Sequence, residues 1–285
     1  MLINKSIFSD TKGNELRLSR VMQTEQPVKF QNFSVKYVAE GIENYTANCR
    51  KFALSRGEYV IGNKHINSSV LIDGQSPAKG ICLDVSREVI DEIITCHYTN
   101  AARLSHFLFE HEWMAQKYNC TNTQLGLSLQ HLSQEFDNLI AGKSVISNEI
   151  FFALGERIVC DQSKIFENFS RLKAVKHETN GRIFNFINDA KNYMDLHFIE
   201  KLNIEKIARE AKLSEYHFIR LFKTIFKITP YQYIVQKRLH FSLELLQSQY
   251  AISDISTMLS YADTAAFSNA FKQEFGFSPK KYKLK

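Results

Sequence analysis

Two stretches of the sequence set a phenylalanine face against a face of hydrogen-bonding side chains. Wound as a helix, EYHFIRLFKTIF puts Phe218, Leu221 and Phe222 on one side and Tyr216, His217, Ile219, Arg220 and Lys223 on the other. DTAAFSNAFKQEF does the same, with Phe267 and Phe271 opposite Thr264, Ala265, Ser268, Asn269 and Lys272. A buried aromatic face anchors such a helix. The other face is left to offer guanidinium, amide, hydroxyl and ammonium groups to a partner.

These stretches belong to an internal repeat of the form F-x3-F-K-x2-F-x3-P-x2-Y. Phe218, Phe222, Lys223, Phe226, Pro230 and Tyr233 recur 49 residues later as Phe267, Phe271, Lys272, Phe275, Pro279 and Tyr282. Upstream, Ile207, Ala208, Ala211 and Leu213 correspond to Ile255, Ser256, Leu259 and Tyr261 at an offset of 48, so the intervening turns differ by one residue. Each copy predicts a helix, a short turn and a second helix, over about 204–226 and 252–275. Ile204, Ile207, Ala208 and Ala211 form the apolar face of the leading helix in the first copy. Ser214 and Asp263 have N-cap chemistry for the second helices. PYQYIVQKRLHFSLELLQS joins the copies, and Pro230 suits the first turn of one long helix. In a helix-turn-helix the second helix can enter the DNA major groove. Two copies on a rigid connector reach successive groove segments about 34 Å apart.

The charge agrees with a polyanionic partner for this part of the chain. Residues 1–180 hold 20 Lys/Arg and 20 Asp/Glu, whereas residues 181–285 hold 16 and 10, so the whole net +6 lies in the last third.

Other chemistries lack their residues. His65 is the one histidine of the strand-rich segment, and His97, His106, His111, His131 and His177 are scattered over helices and a linker, with no HxH or HxxxH pair. No metal site and no cofactor is expected. GxSxG, P-loop and GxGxxG motifs do not occur. Cys49, Cys82, Cys96, Cys120 and Cys160 form no CxxC pair and read as reduced thiols. No run approaches 18 apolar residues, and MLINKSIFSDTKGNE lacks a secretory core, so no membrane association and a cytoplasmic location are expected.

With 285 residues, two domains are expected. The first 27 residues read as an arm or short strands. Residues 28–85 alternate in the β manner between Gly41, Gly57 and Gly62, with Phe33, Val35 and Tyr37 facing one way and Ser34, Lys36 and Val38 the other. A small barrel or sandwich follows from this. Residues 86–171 read as helices, Asn122 or Thr123 capping one of them and Gly142 ending it. Leu125, Leu129, Leu132, Phe136 and Leu139 form a stripe fit either for a dimer seam or for packing on the barrel. Polar residues 172–182 predict a linker, and 183–285 an all-α domain. Phe33, Tyr37, Tyr45, Phe52, Tyr59 and His65 are candidates either to line an effector pocket or to fill the core.

LNIEKIAREAKLSEYHFIRLFK and ISDISTMLSYADTAAFSNAFKQEFGFSPKKYK resemble the AraC/XylS family of bacterial transcription regulators. The resemblance spans roughly 183–285, and FGFSPKKY is its most specific element. It implies an α+β protein: an N-terminal cupin-like barrel with helices for effector binding and dimerisation, over 1–171, and a C-terminal double helix-turn-helix joined by a long helix. It implies that Tyr216, Ile219 and Arg220 face bases, with Arg220 toward guanine and Tyr216 and Ile219 toward thymine methyls, while His217 and Lys223 touch phosphate. In the second unit Thr264, Ala265, Ser268, Asn269 and Lys272 face the groove, Asn269 toward adenine. Departures from the family pattern are Lys227 where glycine is usual, Lys212 and Ser260 at turn positions, and Ser256 in place of a small apolar residue. A lysine in a left-handed C-cap carries strain.

The expected function is a DNA-binding regulator of transcription, more often an activator, and not an enzyme. Its expected partners are double-stranded DNA, a small-molecule effector, a second copy of the chain and, for activation, RNA polymerase. The alternatives are gating by a partner protein and, from a different class, a cupin-type metalloenzyme with an accessory helical domain.

Overall fold

The computed structural model describes residues 3–47, 50–110, 116–172, 177–210 and 212–283, with side chains of 177–179 left aside. Cys49, His111, Ala211 and positions 173–176 of the expected linker lie outside these residues. The chain divides into two compact units, Met1–Glu167 and Asn168–Lys285.

Unit one holds two antiparallel sheets. Strands β1 (Ile3–Ser9), β2 (Glu15–Val21), β9 (Ala78–Val85), β4 (Phe33–Glu40), β7 (Glu58–Gly62) and β10 (Gln116–Asn119) neighbour one another in that order. The second sheet has the order β3 (Thr24–Lys29), β8 (Asn67–Ile72), β5 (Ile42–Ala47), β6 (Arg50–Ser55). The sheets end on β1 and β10, and on β3 and β6, so they form a sandwich and do not close into the expected barrel. Strands also begin at residue 3 and not near 28. β2 inserts beside β9, where Leu16 and Leu18 become fully buried opposite Leu83 and Ile81. Gly41 turns the chain between β4 and β5 with φ +82, and a Cβ there would stand 2.8 Å from Ala78 Cα.

Alternation along β4 sorts the chemistry of the unit. Phe33, Val35 and Tyr37 share a face with Tyr59, Ile61, Ile81 and Leu83 under the helices. Ser34 and Lys36 point between the sheets. Helices α1 (Arg87–His97), α2 (Ala101–Glu110), α3 (Gln124–Gln134), α4 (Phe136–Ile140) and α5 (Glu149–Ser170) follow. Ser86 caps α1 and Thr123 caps α3 through their side-chain oxygens. Leu125, Leu129, Phe136 and Leu139 are buried within this unit, so the stripe packs on its own fold.

Unit two contains α6 (His177–His197), α7 (Ile204–Glu210), α8 (Glu215–Phe226), α9 (Pro230–Leu246), α10 (Ile252–Met258), α11 (Thr264–Phe275) and α12 (Pro279–Lys283). Residues 177–182 are helical and not linker. Polarity hid this, yet Asn180 is buried along with Phe184, Ile187 and Met194 further along the same helix. No helix among the described residues is long and apolar enough to cross a membrane.

Candidate nucleic-acid interface

The two turns of unit two repeat each other's backbone bonds. In the first turn, Leu213 N–H donates to Ala208 O at 3.0 Å and Lys212 N–H to Arg209 O at 2.9 Å. In the second, Tyr261 N–H donates to Ser256 O and Ser260 N–H to Thr257 O, both at 3.0 Å. This is the bonding that ends a helix on a left-handed residue. Lys212 (φ +56) and Ser260 (φ +54) are those residues. Ser256 and Ala208 are both buried, their small size letting the helices approach.

The second helices are capped alike. Ser214 accepts from His217 N–H, and Asp263 from Ala266 N–H. Each helix runs 12 residues and stops on a left-handed residue, Lys227 (φ +69) or Gly276 (φ +79). Thr229 then starts α9 with a capping box to Gln232 and Pro230 in the first turn. The aromatic cores correspond as well. Phe218–Phe222 and Phe267–Phe271 ring centroids both lie 5.8 Å apart, and Phe222–Tyr233 (5.7 Å) has its counterpart in Phe271–Tyr282 (6.2 Å).

The opposite faces lie open. On α8, Tyr216 (77% exposed), Arg220 and Lys223 stand out in solvent, with His217 and Ile219 half-buried beside them. An Arg220 Nη2 to His217 Nδ1 contact of 3.3 Å ties two of these side chains together. On α11, Thr264, Ala265, Asn269 and Lys272 are exposed and Ser268 half-buried. All ten residues expected to face DNA thus lie away from the phenylalanine cores.

A half-buried carboxylate ties α6 to α9. Asp195 on α6 pairs with Lys191 Nζ (2.7 Å) and Lys237 Nζ (3.0 Å), and accepts from Tyr233 O–H. Burial pushes its carboxyl up, and the two ammonium groups and the phenol outweigh this, so its pKa lies below the ordinary value.

The six residues expected at an effector pocket fall in separate places. Phe33 packs on Phe109 of α2, and Tyr59 stacks on Tyr118 and donates to Thr123 Oγ1 at 2.8 Å. Tyr37 shares their face, under the helices. Tyr45 stacks on Phe52 on the other sheet. His65 bonds Glu110 Oε2 at 3.0 Å. A different group of charged side chains, not evident from the sequence, lies between the sheets. Lys36 and Glu43 are each 6% exposed and Asp84 9%. Lys36 Nζ lies 4.0 Å from Asp84 Oδ2, Ser34 O–H donates to Asp84, and Tyr45 O–H donates to Glu43 Oε2 at 2.7 Å. Glu43 reaches across to the other sheet, where a Cβ on Gly80 would stand 2.8 Å from its Oε1. Burial holds the Glu43 carboxyl above its ordinary pKa, with the Tyr45 bond and Lys36 pulling the other way. The period-2 pattern did put Lys36 opposite Tyr37; it did not say which face lay inside.

A doubled, capped helix-turn-helix with open polar faces defines a DNA-binding protein of the double helix-turn-helix class. The comparisons agree. A family model described as a helix-turn-helix domain matches residues 207–285. The regulatory protein SoxS of Escherichia coli K12 is 32% identical over 98 residues, 34% of this chain and 92% of that protein. The Msm operon regulatory protein of Streptococcus mutans is 23% identical over 258 residues, 90% of this chain and 86% of that one. LumQ of Photobacterium leiognathi, described as a probable transcriptional regulator, is 31% identical over 94 residues, 33% of this chain. The match spans 38% of LumQ's own length. The chain belongs to the AraC/XylS family of DNA-binding transcription regulators.

Proposed function

We propose that the protein is a cytoplasmic regulator, an activator in its commoner family role, that reads a promoter with both helix-turn-helix units and is switched by a small polar molecule in its N-terminal unit. The observation that carries the reading is the repeat itself: two capped turns with matching bonds, each presenting an open polar face. Arg220 takes a guanine edge bidentately, Tyr216 and Ile219 meet thymine methyls, and His217, Lys223 and Lys272 grip phosphate. Asn269 reads adenine. Thr264, Ala265 and Ser268 are short, so α11 discriminates less than α8. An effector entering between the sheets would meet Lys36, Glu43 and Asp84 and would take over bonds these groups now make to one another, to Ser34 and to Tyr45, which favours a polar molecule. A homodimer would present paired half-sites, and activation would proceed through contact with RNA polymerase.

The test is selection of bound fragments from a random DNA library by the purified full chain at near-physiological salt. Two enriched blocks about one helical turn apart are expected. Binding that vanishes with salt and enriches no sequence refutes the reading.

A further inference from the structure

Arg238, midway along α9, uses its guanidinium on three main-chain carbonyls. Nε donates to Phe198 O at 2.6 Å and Nη2 to Glu200 O at 2.7 Å. Nη1 lies 3.4 Å from Ser260 O, in the turn of the second helix-turn-helix. Ser260 answers from its side, its hydroxyl donating to Ile199 O at 2.6 Å. Phe198 also sets its ring edge against Phe241 of α9, at 5.4 Å.

The position of residues 198–200 gives these bonds a consequence. They follow α6 and lead within four residues into α7, the first helix of the first helix-turn-helix. The loop that enters one reading unit is therefore tied to the turn at the heart of the other. The tie is made by side chains on the connector and on the turn, none of them on the DNA-facing surface. Arginine suits the task, because its fork holds several carbonyls in fixed directions and its charge strengthens each bond. The carbonyls beyond the C-terminus of α6 are also where a cation is favoured. The two copies differ here: Lys212, at the turn position equivalent to Ser260, has no hydroxyl to make the bond that Ser260 makes to Ile199 O.

We propose that Arg238 and Ser260 form a latch that fixes the pitch and separation of the two recognition helices, so that the protein accepts one spacing between its two base blocks. This rests on the reading of both units as DNA contacts. Arg238 and Ser260 are positioning residues and touch no base.

Binding of the full chain is measured on duplexes carrying both blocks, with the spacer at its optimum or changed by one or two base pairs, and on a duplex carrying the first block alone. Wild type is expected to lose roughly tenfold for one base pair of spacer change, comparable to one mismatched base pair. Arg238→Lys keeps the charge and loses the fork. Ser260→Gly keeps the left-handed turn and loses the hydroxyl, and so stays testable if the arginine variant folds poorly. Each variant is expected to flatten the spacer dependence to about threefold or less while binding the first block as wild type does. Variants that keep the wild-type spacer profile overturn the latch, as do variants that lose first-block and two-block binding equally. If wild type binds the two-block and one-block duplexes equally, the two-unit reading itself fails, and the latch with it.

Discussion

Replacing Lys227 with glycine should stabilise the C-terminal unit, and the reverse change at the equivalent position should weaken it. Lys227 closes α8 at φ +69 with its N–H on Lys223 O, and Gly276 closes α11 at φ +79 with its N–H on Lys272 O, both at 2.9 Å. The backbone bonds are the same, so the difference is conformational. Holding an L-residue in the left-handed region costs about 1–2 kcal/mol. Glycine's greater freedom in the unfolded chain returns about 0.5–1 kcal/mol of that. Lys227→Gly should therefore gain about 0.5–1 kcal/mol, a rise of roughly 2–5 °C in the melting temperature of a unit this size. A Cβ at Gly276 meets nothing within 4 Å among the described residues, so Gly276→Ala carries no clash there and should cost about 1 kcal/mol through its backbone alone. Urea unfolding of the full chain, followed by a probe on the C-terminal unit, reads both shifts from the midpoint at constant slope. A loss on Lys227→Gly would mean that the lysine side chain holds a stabilising contact. No change on Gly276→Ala would mean that the left-handed cap relaxes freely, and either result refutes the strain argument.

Other outcomes follow from the same geometry. Arg220→Ala should cost about 1–3 kcal/mol on the specific site and relax one base position, whereas Lys223→Ala should weaken all sequences alike and lower the salt slope by about one; competition binding over a range of salt separates the two. Tyr261 buries its hydroxyl with no hydrogen-bond partner among the described residues, so Tyr261→Phe should raise stability by about 1 kcal/mol in chemical unfolding. Glu43 has its pKa raised above the ordinary 4.5 by burial, so the folded state holds its proton more tightly than the unfolded one. That contribution is complete below pH 4.5 and is lost as pH rises through the folded pKa. Glu43→Gln should therefore gain most, relative to wild type, at pH 8 and least at pH 4; melting curves that shift equally at both would refute it.

The C-terminal unit was legible because its signal is doubled. Phenylalanines at fixed spacing, an N-cap before each second helix and a proline after it recur at one period, and each has a single structural use. Even the strained cap at Lys227 followed from comparing it with Gly276. The N-terminal unit offers no second copy. ELRLSRV alternates, yet its arginines mask a strand whose leucines are buried on one face only. Gln116–Asn119 lies among helical sequence and becomes a strand because β7 offers it an edge. The buried trio Lys36, Glu43 and Asp84 was illegible for a related reason. Alternation separates two faces, and only the pairing of the sheets decides that the charged one lies inside. Arg238 gave no signal either, since its partners are main-chain carbonyls, which leave no trace in residue identity.

Both helix-turn-helix units are proposed to lie on one face of the duplex in successive major grooves. Hydroxyl-radical footprinting of the full chain on a selected duplex tests it most directly. Two protected patches on one face are expected, about one helical turn apart, with Arg220→Ala weakening protection over the first patch. A single patch that stays the same length when the second block is replaced by random sequence would contradict it.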